Sequence, residues 1–179
     1  MKFLIFESKR GFTLIEMIIY VAFLGFLMVW IIGAMVRSST IYQATRAERE
    51  VVSNARLALE RIQRVLAEAD DIYTPTSRFG SVNGQLSIFT SSSAVAGHTG
   101  SYVDFWLNDG RLWTKEEGQN LLPVTSPSVK VSSFFLENIS QGLNKDAVKI
   151  SLRVEYYVSL GAPVASTTLY TTISLRGAY

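Results

Sequence analysis

Between Phe12 and Val36 the chain carries a single charge, Glu16, within an otherwise apolar run. A helix of about 25 residues rising roughly 1.5 Å each reaches about 37 Å, enough to cross a hydrocarbon layer of ~30 Å. Such a segment has two destinations, a membrane or the middle of a protein core, and its flanks favour the membrane. Lys9 and Arg10 lie just before the run, so the positive-inside rule puts that end in the cytoplasm and the chain after Arg37 outside. The apolar content of 48% is concentrated here, and the remainder has the composition of an ordinary globular chain.

A secretory signal peptide has a shorter apolar core and a small-x-small cleavage site, which Ile32-Gly33-Ala34 imitates poorly. The more suggestive junction is at the other end, where Lys9-Arg10-Gly11 stops against the apolar run. A cut after Gly11 removes a charged leader, keeps the anchor and creates a new amine on Phe12. That amine matters for Glu16. A carboxylate at the bilayer centre costs about 2.5 to 3.5 kcal/mol on insertion scales, so it either stays near the interface or finds a cation. An α-amino group, with a reference pKa of about 7.7 to 8.0, is one. The positive end of its own helix also favours Glu16, while the amine of a neighbouring chain, shifted along the axis, meets it inside a helix bundle.

Lys9-Arg10-Gly11-Phe12-Thr13-Leu14-Ile15-Glu16 resembles the cleavage and methylation motif of type IV prepilins. The resemblance implies that a prepilin peptidase cuts after Gly11 and methylates the amine of Phe12, and that Glu16 guides docking of the subunit into a filament. It also implies the partners: other pilin or pseudopilin subunits, the peptidase and methylase, and an inner-membrane assembly platform driven by a separate ATPase. Beyond the motif, the order of the later strands resembles, more diffusely, the J-like pseudopilins and W-like minor pilins. Many major pilins have a proline near the position of Gly33; Gly25 and Gly33 are read instead as places where helices pack closely.

Past Arg37 there is no proline before Pro75 and no glycine before Gly80. Ile41, Ala44, Val51, Ala55, Ala58, Ile62, Leu66 and Ala69 recur at spacings of three and four, interrupted at Glu48, which predicts a helix continuing to about Asp70 and packing one face on its own globular domain. Arg46, Arg49, Glu50, Glu60, Arg61 and Arg64 form the opposite, solvated face, with Glu60 and Arg64 in the favourable i,i+4 order. Asp70 and Asp71 oppose the dipole at a helix C-terminus and mark its stop.

The period then changes to two. Residues 148–156 alternate apolar with polar, and 167–175 form a second β-branched run. Residues 102–107 and 112–113 flank Asn108-Asp109-Gly110-Arg111, whose Asp-Gly step predicts a tight hairpin. Residues 86–90 and 129–136 are shorter strand candidates, and 91–100 reads as a surface loop. The expected fold is therefore α+β, pilin-like in build: a leader at 1–11, a transmembrane and filament-core segment at 12–36, a stalk helix at 37–71, and a β-rich domain at 72–179 whose antiparallel sheet the stalk covers.

Chemistry is sparse. The net charge of +2 equals the surplus of the first eleven residues, where Lys2, Lys9 and Arg10 face Glu7, so the exterior has no footprint for nucleic acid. With no cysteine there are neither disulfides nor thiolate metal sites. His98, the only histidine, sits in a Gly/Ser-rich loop near Ser91, Ser92 and Ser93, without a nucleophile elbow or a clear partner in Asp104. Asp104, Asp109 and Glu116 lack calcium-loop spacing, and Tyr102, Phe105, Trp106 and Trp113 read as core or sheet aromatics. No cofactor or catalytic activity is implied. The expected role is a structural filament subunit; a permanently anchored extracytoplasmic binding protein is the competing one.

Overall fold

A computed structural model describes residues 11–92, 97, 99–139, 147–157 and 165–175. Helix α1 runs Leu14–Ala67, followed by β1 (Asp71–Ile72), β2 (Gln85–Thr90), β3 (Ser101–Asn108), β4 (Arg111–Glu116), β5 (Leu122–Pro123), β6 (Lys130–Asn138), β7 (Ala147–Tyr156) and β8 (Ala165–Ser174). The chain divides into two units, Met1–Gln43 and Ala44–Tyr179. From Leu14 on, the first is one stretch of helix whose most apolar window has none of its residues buried.

In the second unit the helix covers two antiparallel sheets, one ordered β1-β2-β3-β4-β5 and the other β6-β7-β8. The fold is α+β, as the periodicities predict, but with two sheets in place of one. They meet along β6: Gly84 donates its N–H to the Phe134 carbonyl at 2.8 Å, and Phe134 donates in turn to Val82 at 2.8 Å. Gly84 is required at this seam, because a Cβ there would lie 2.5 Å from the Phe134 oxygen.

One core joins all three layers. Val51, Ala55, Ala58, Ile62, Leu66 and Ala69 are buried as the stripe predicts, against Leu86, Ile88, Phe105, Leu112, Phe134 and the β7 residues Val148, Ile150, Leu152 and Val154. The stripe's start differs from expectation. Ile41 and Ala44 are exposed, and Ala47 takes the buried position beside the exposed Glu48. Asn54 is buried on this face although polar, because it holds the chain between β5 and β6: Ser126 donates to its Oδ1 at 2.9 Å, and its amide donates to the Glu50 carbonyl at 2.9 Å. The basic and acidic face opposite is solvated, but Glu60 and Arg64 form no ion pair.

The hairpin between β3 and β4 follows its turn chemistry. Asp109 and Gly110 both have positive φ, 50° and 66°, as a two-residue type I′ loop needs. The helix ends at Ala67, three residues before the expected stop at Asp70; Asp70 accepts the Ser91 N–H at 2.6 Å and Asp71 opens β1. β1 and β5 are absent from the sequence reading because two residues carry no periodicity. β2 is covered on both faces, which breaks its alternation: Ser87 donates to Asp104 and its N–H reaches the Ser77 hydroxyl at 3.0 Å.

On β7, Glu155 falls at an outward position yet is nearly buried. The Tyr157 hydroxyl donates to it at 2.6 Å and Arg153 at 2.8 Å. The Tyr157 hydrogen bond, outweighing burial and aided by Arg153, holds the Glu155 carboxyl below the usual range. A folded pKa below the unfolded one adds stability above the unfolded value and loses it as pH falls through the folded value. Tyr157→Phe is therefore expected to be less stable than the wild type near neutrality, with the two converging as pH falls through the folded Glu155 value, as denaturant unfolding followed by circular dichroism at a series of pH values would read.

Candidate functional site

The residues singled out by the motif lie at the start of α1. Thr13 is the N-cap: its carbonyl accepts the N–H groups of Glu16 and Met17 at 3.1 and 3.2 Å, and its hydroxyl lies 3.4 Å from the Glu16 nitrogen. Thr13-x-x-Glu16 has the spacing of a capping box, a signal that was present in the sequence and concealed by the apolar run. Glu16 is consequently the third helical residue, in the turn where the positive end of the dipole is felt.

Around it the surface is apolar and open. Gly11 and Phe12 are exposed, with Phe12 at 69%. The Phe12 and Tyr20 rings meet edge to face, centroids 6.1 Å apart, one helical turn on either side of Glu16. Glu16 is only half-exposed, yet its carboxylate has no hydrogen-bond or ion-pair partner among the described residues. Lys9 and Arg10 lie outside those residues. Added Cβ atoms at Gly25 and Gly33 would meet nothing, and Gly33 opens a shallow groove with Trp30, Ala34 and Arg37. This surface combines features that lateral packing of helices uses: continuous apolar side chains, two small positions and one acid with no cationic partner among the described residues.

The second unit offers a cleft on its five-stranded sheet. Tyr73, Thr76, Tyr102, Asp104, Lys115 and Glu117 line about 350 Å³. Tyr73 and Tyr102 meet edge to face at 5.1 Å, Asp104 lies opposite Lys115 in the β3–β4 register, and Glu117 Oε2 accepts the Tyr102 N–H at 3.3 Å. Two-residue alternation places Tyr102 and Asp104 on one face; Tyr73 and Thr76 come from the segment after β1 and carried no signal. Such a lining can hold a small polar ligand against an aromatic corner.

The other candidates separate. Asp104 is engaged by Ser87, Asp109 sits in the hairpin turn and Glu116 faces Val103 in the register, so the three acids do not converge, and no group of three His, Asp or Glu forms a metal cluster among the described residues. Ser91 donates its N–H to Asp70 and the Ser92 hydroxyl pairs with that of Thr90, while Ser93 and His98 lie outside the described residues. Phe105 is core, and Trp106 and Trp113 face one another across β3 and β4, half-buried, with the Arg111 guanidinium 5.2 Å from the Trp113 ring. Comparison with family models, curated proteins and solved structures gives no match.

Proposed function

We propose that this chain is a structural subunit of a type IV pilin-like filament, a minor pilin or pseudopilin, anchored by its N-terminal helix in the inner membrane before assembly. A prepilin peptidase cuts it after Gly11, the new amine on Phe12 is methylated, and Glu16 pairs with the N-terminal amine of a neighbouring subunit as the helices pack. Methylation keeps the amine cationic, so the pairing survives the modification. The observation that carries this reading is the position of Glu16: a carboxylate without a cationic partner among the described residues, one turn into an apolar helical surface, five residues after a Lys-Arg-Gly junction. Its assembly partners are other pilin-like subunits and a membrane platform with its own ATPase.

Fractionation tests it. Mild shearing of intact cells is expected to release the chain together with fibres, and recovery solely in the membrane fraction would refute filament membership. Gly11→Ala is expected to accumulate the longer, uncut form, visible as an upward gel shift against wild type, because a methyl group enters the position that must fit the peptidase. An unchanged mobility would remove Gly11 from the cleavage role.

A second reading, a permanently anchored extracytoplasmic binding protein, is favoured by the cleft at Tyr73, Tyr102, Asp104 and Lys115. It requires the chain to stay in the membrane with its leader attached, the opposite result in the same fractionation.

A further inference from the structure

We propose that the outward face of the five-stranded sheet binds an extended, equatorially linked glycan, laid along β3 with one sugar ring seated in the cleft at Tyr102. Strand alternation builds this face. On β3 the buried Val103 and Phe105 point into the core, so Tyr102, Asp104 and Trp106 point away from it. The β3–β4 register sets Lys115 beside Asp104 and Trp113 beside Trp106, and β2 places Phe89 opposite Tyr102. Tyr102 and Trp106, four positions apart, are separated by about 13 Å along the strand.

The cleft is organised before a ligand arrives. Tyr102 is braced by two ring contacts, with Tyr73 at 5.1 Å and Phe89 at 5.3 Å between centroids, and still is 38% exposed. The 350 Å³ between Tyr73 and Tyr102 is of the size that small ligands occupy, and Asp104, Lys115 and Glu117 line its polar side. These polar groups are held in place without being saturated. Asp104 accepts the Ser87 hydroxyl with Oδ1, while its Oδ2 has no partner among the described residues. Lys115 stands across from Asp104 but forms no ion pair with it or with Glu117 among the described residues. Further along β3, the Trp113 indole donates to the Asn108 carbonyl at 3.2 Å, whereas the Trp106 indole N–H has no acceptor among the described residues.

That combination selects the class of ligand. An unpaired carboxylate oxygen beside an unpaired ammonium suits a molecule that donates to one and accepts from the other, and neighbouring hydroxyls on a sugar ring do both. The negative face of an aromatic ring meets the weakly positive C–H bonds on the flat side of a pyranose, a contact that an anion does not make. Charge points the same way. Asp104 and Glu117 are balanced by Lys115 and Arg111, so this face has no net field to draw in a polyanion or a polycation. A glycan linked through equatorial bonds is extended and flat and touches Tyr102 and Trp106 together, while a coiled chain of the same sugar reaches only one of them. The face lies wholly in the second unit, so the proposal goes beyond both functional readings and holds whether or not the chain is cut after Gly11.

Titration calorimetry of the full chain, in a detergent without sugar headgroups, tests this with cellohexaose as the probe. Saturable binding is expected, about tenfold or more tighter than that of glucose or maltohexaose, which engage one aromatic position instead of two. Lys115→Met and Tyr102→Ala are each expected to weaken cellohexaose binding about tenfold, through a lost hydrogen bond to a charged group and a lost ring contact. Lys115 is exposed, so its variant reports on the site even where Tyr102→Ala disturbs packing. Tyr170→Ala, an exposed aromatic removed from the other sheet, is expected to bind as the wild type does. No heat with cellohexaose, equal affinity for maltohexaose, undiminished binding in Lys115→Met, or an equal loss in Tyr170→Ala would each overturn the proposal. The outcome is separate from the fractionation, which reads only where the chain resides.

Discussion

Replacing Glu16 with alanine is expected to leave the chain cut after Gly11 and to deplete it at least a hundredfold from sheared fibres, as read by quantitative immunoblot. Removing one member of a buried ion pair costs about 3 to 5 kcal/mol because its partner remains charged without compensation. At about 1.4 kcal/mol per tenfold, that is a hundredfold or more in the equilibrium for docking. A local explanation has to be separated from this one. Glu16 occupies the third position of a helix capped by Thr13, and loss of a cap also weakens a helix. Caps, however, contribute about 0.5 to 2 kcal/mol. Thr13→Ala therefore serves as the control: it disturbs the same helix end with the acid intact and is expected to lower incorporation much less. Equal depletion in the two variants would assign Glu16 to capping alone.

The second large effect concerns the fold. Phe134 is fully buried where β6 meets the other sheet and the helix face, and truncating such a phenylalanine costs about 3 to 5 kcal/mol in lost transfer energy and residual cavity. Domains of this size have only about 5 to 15 kcal/mol in hand. Phe134→Ala is thus expected to lower the thermal midpoint of the second unit sharply, while Tyr170→Ala, on the exposed edge, moves it little. Near-ultraviolet circular dichroism of the full chain in detergent follows both. A midpoint in Phe134→Ala equal to that of Tyr170→Ala would mean that the two sheets and the helix do not share a core.

The parts of this structure that could be read from sequence are those in which burial repeats. The β7 alternation from Val148 to Tyr156 and the helical spacing from Val51 to Ala69 each reflect one face meeting one core, and Asp109-Gly110 declared its turn because few residues tolerate positive φ. What escaped was set by tertiary contact. Asn54 faces the core because a backbone N–H 72 positions away needs an acceptor; Ser87 is buried because the Ser77 segment folds over it; the division into two sheets depends on Gly84 approaching Phe134. At the helix start, the sequence displayed Gly11, Phe12 and Glu16 together, and the structure adds that Thr13 caps the turn and that the carboxylate has no cation of its own among the described residues. The aromatic cleft was half legible, since strand alternation aligned Tyr102 with Asp104 but gave no sign of Tyr73.

The proposed function requires a new positive terminus at Phe12 for Glu16 of another chain to meet. Intact-mass spectrometry of the chain isolated from its native membrane or fibres addresses it at one stroke. A mass beginning at Phe12 and carrying one added methyl group is the predicted result, whereas a mass that retains Met1 through Gly11 would contradict the account.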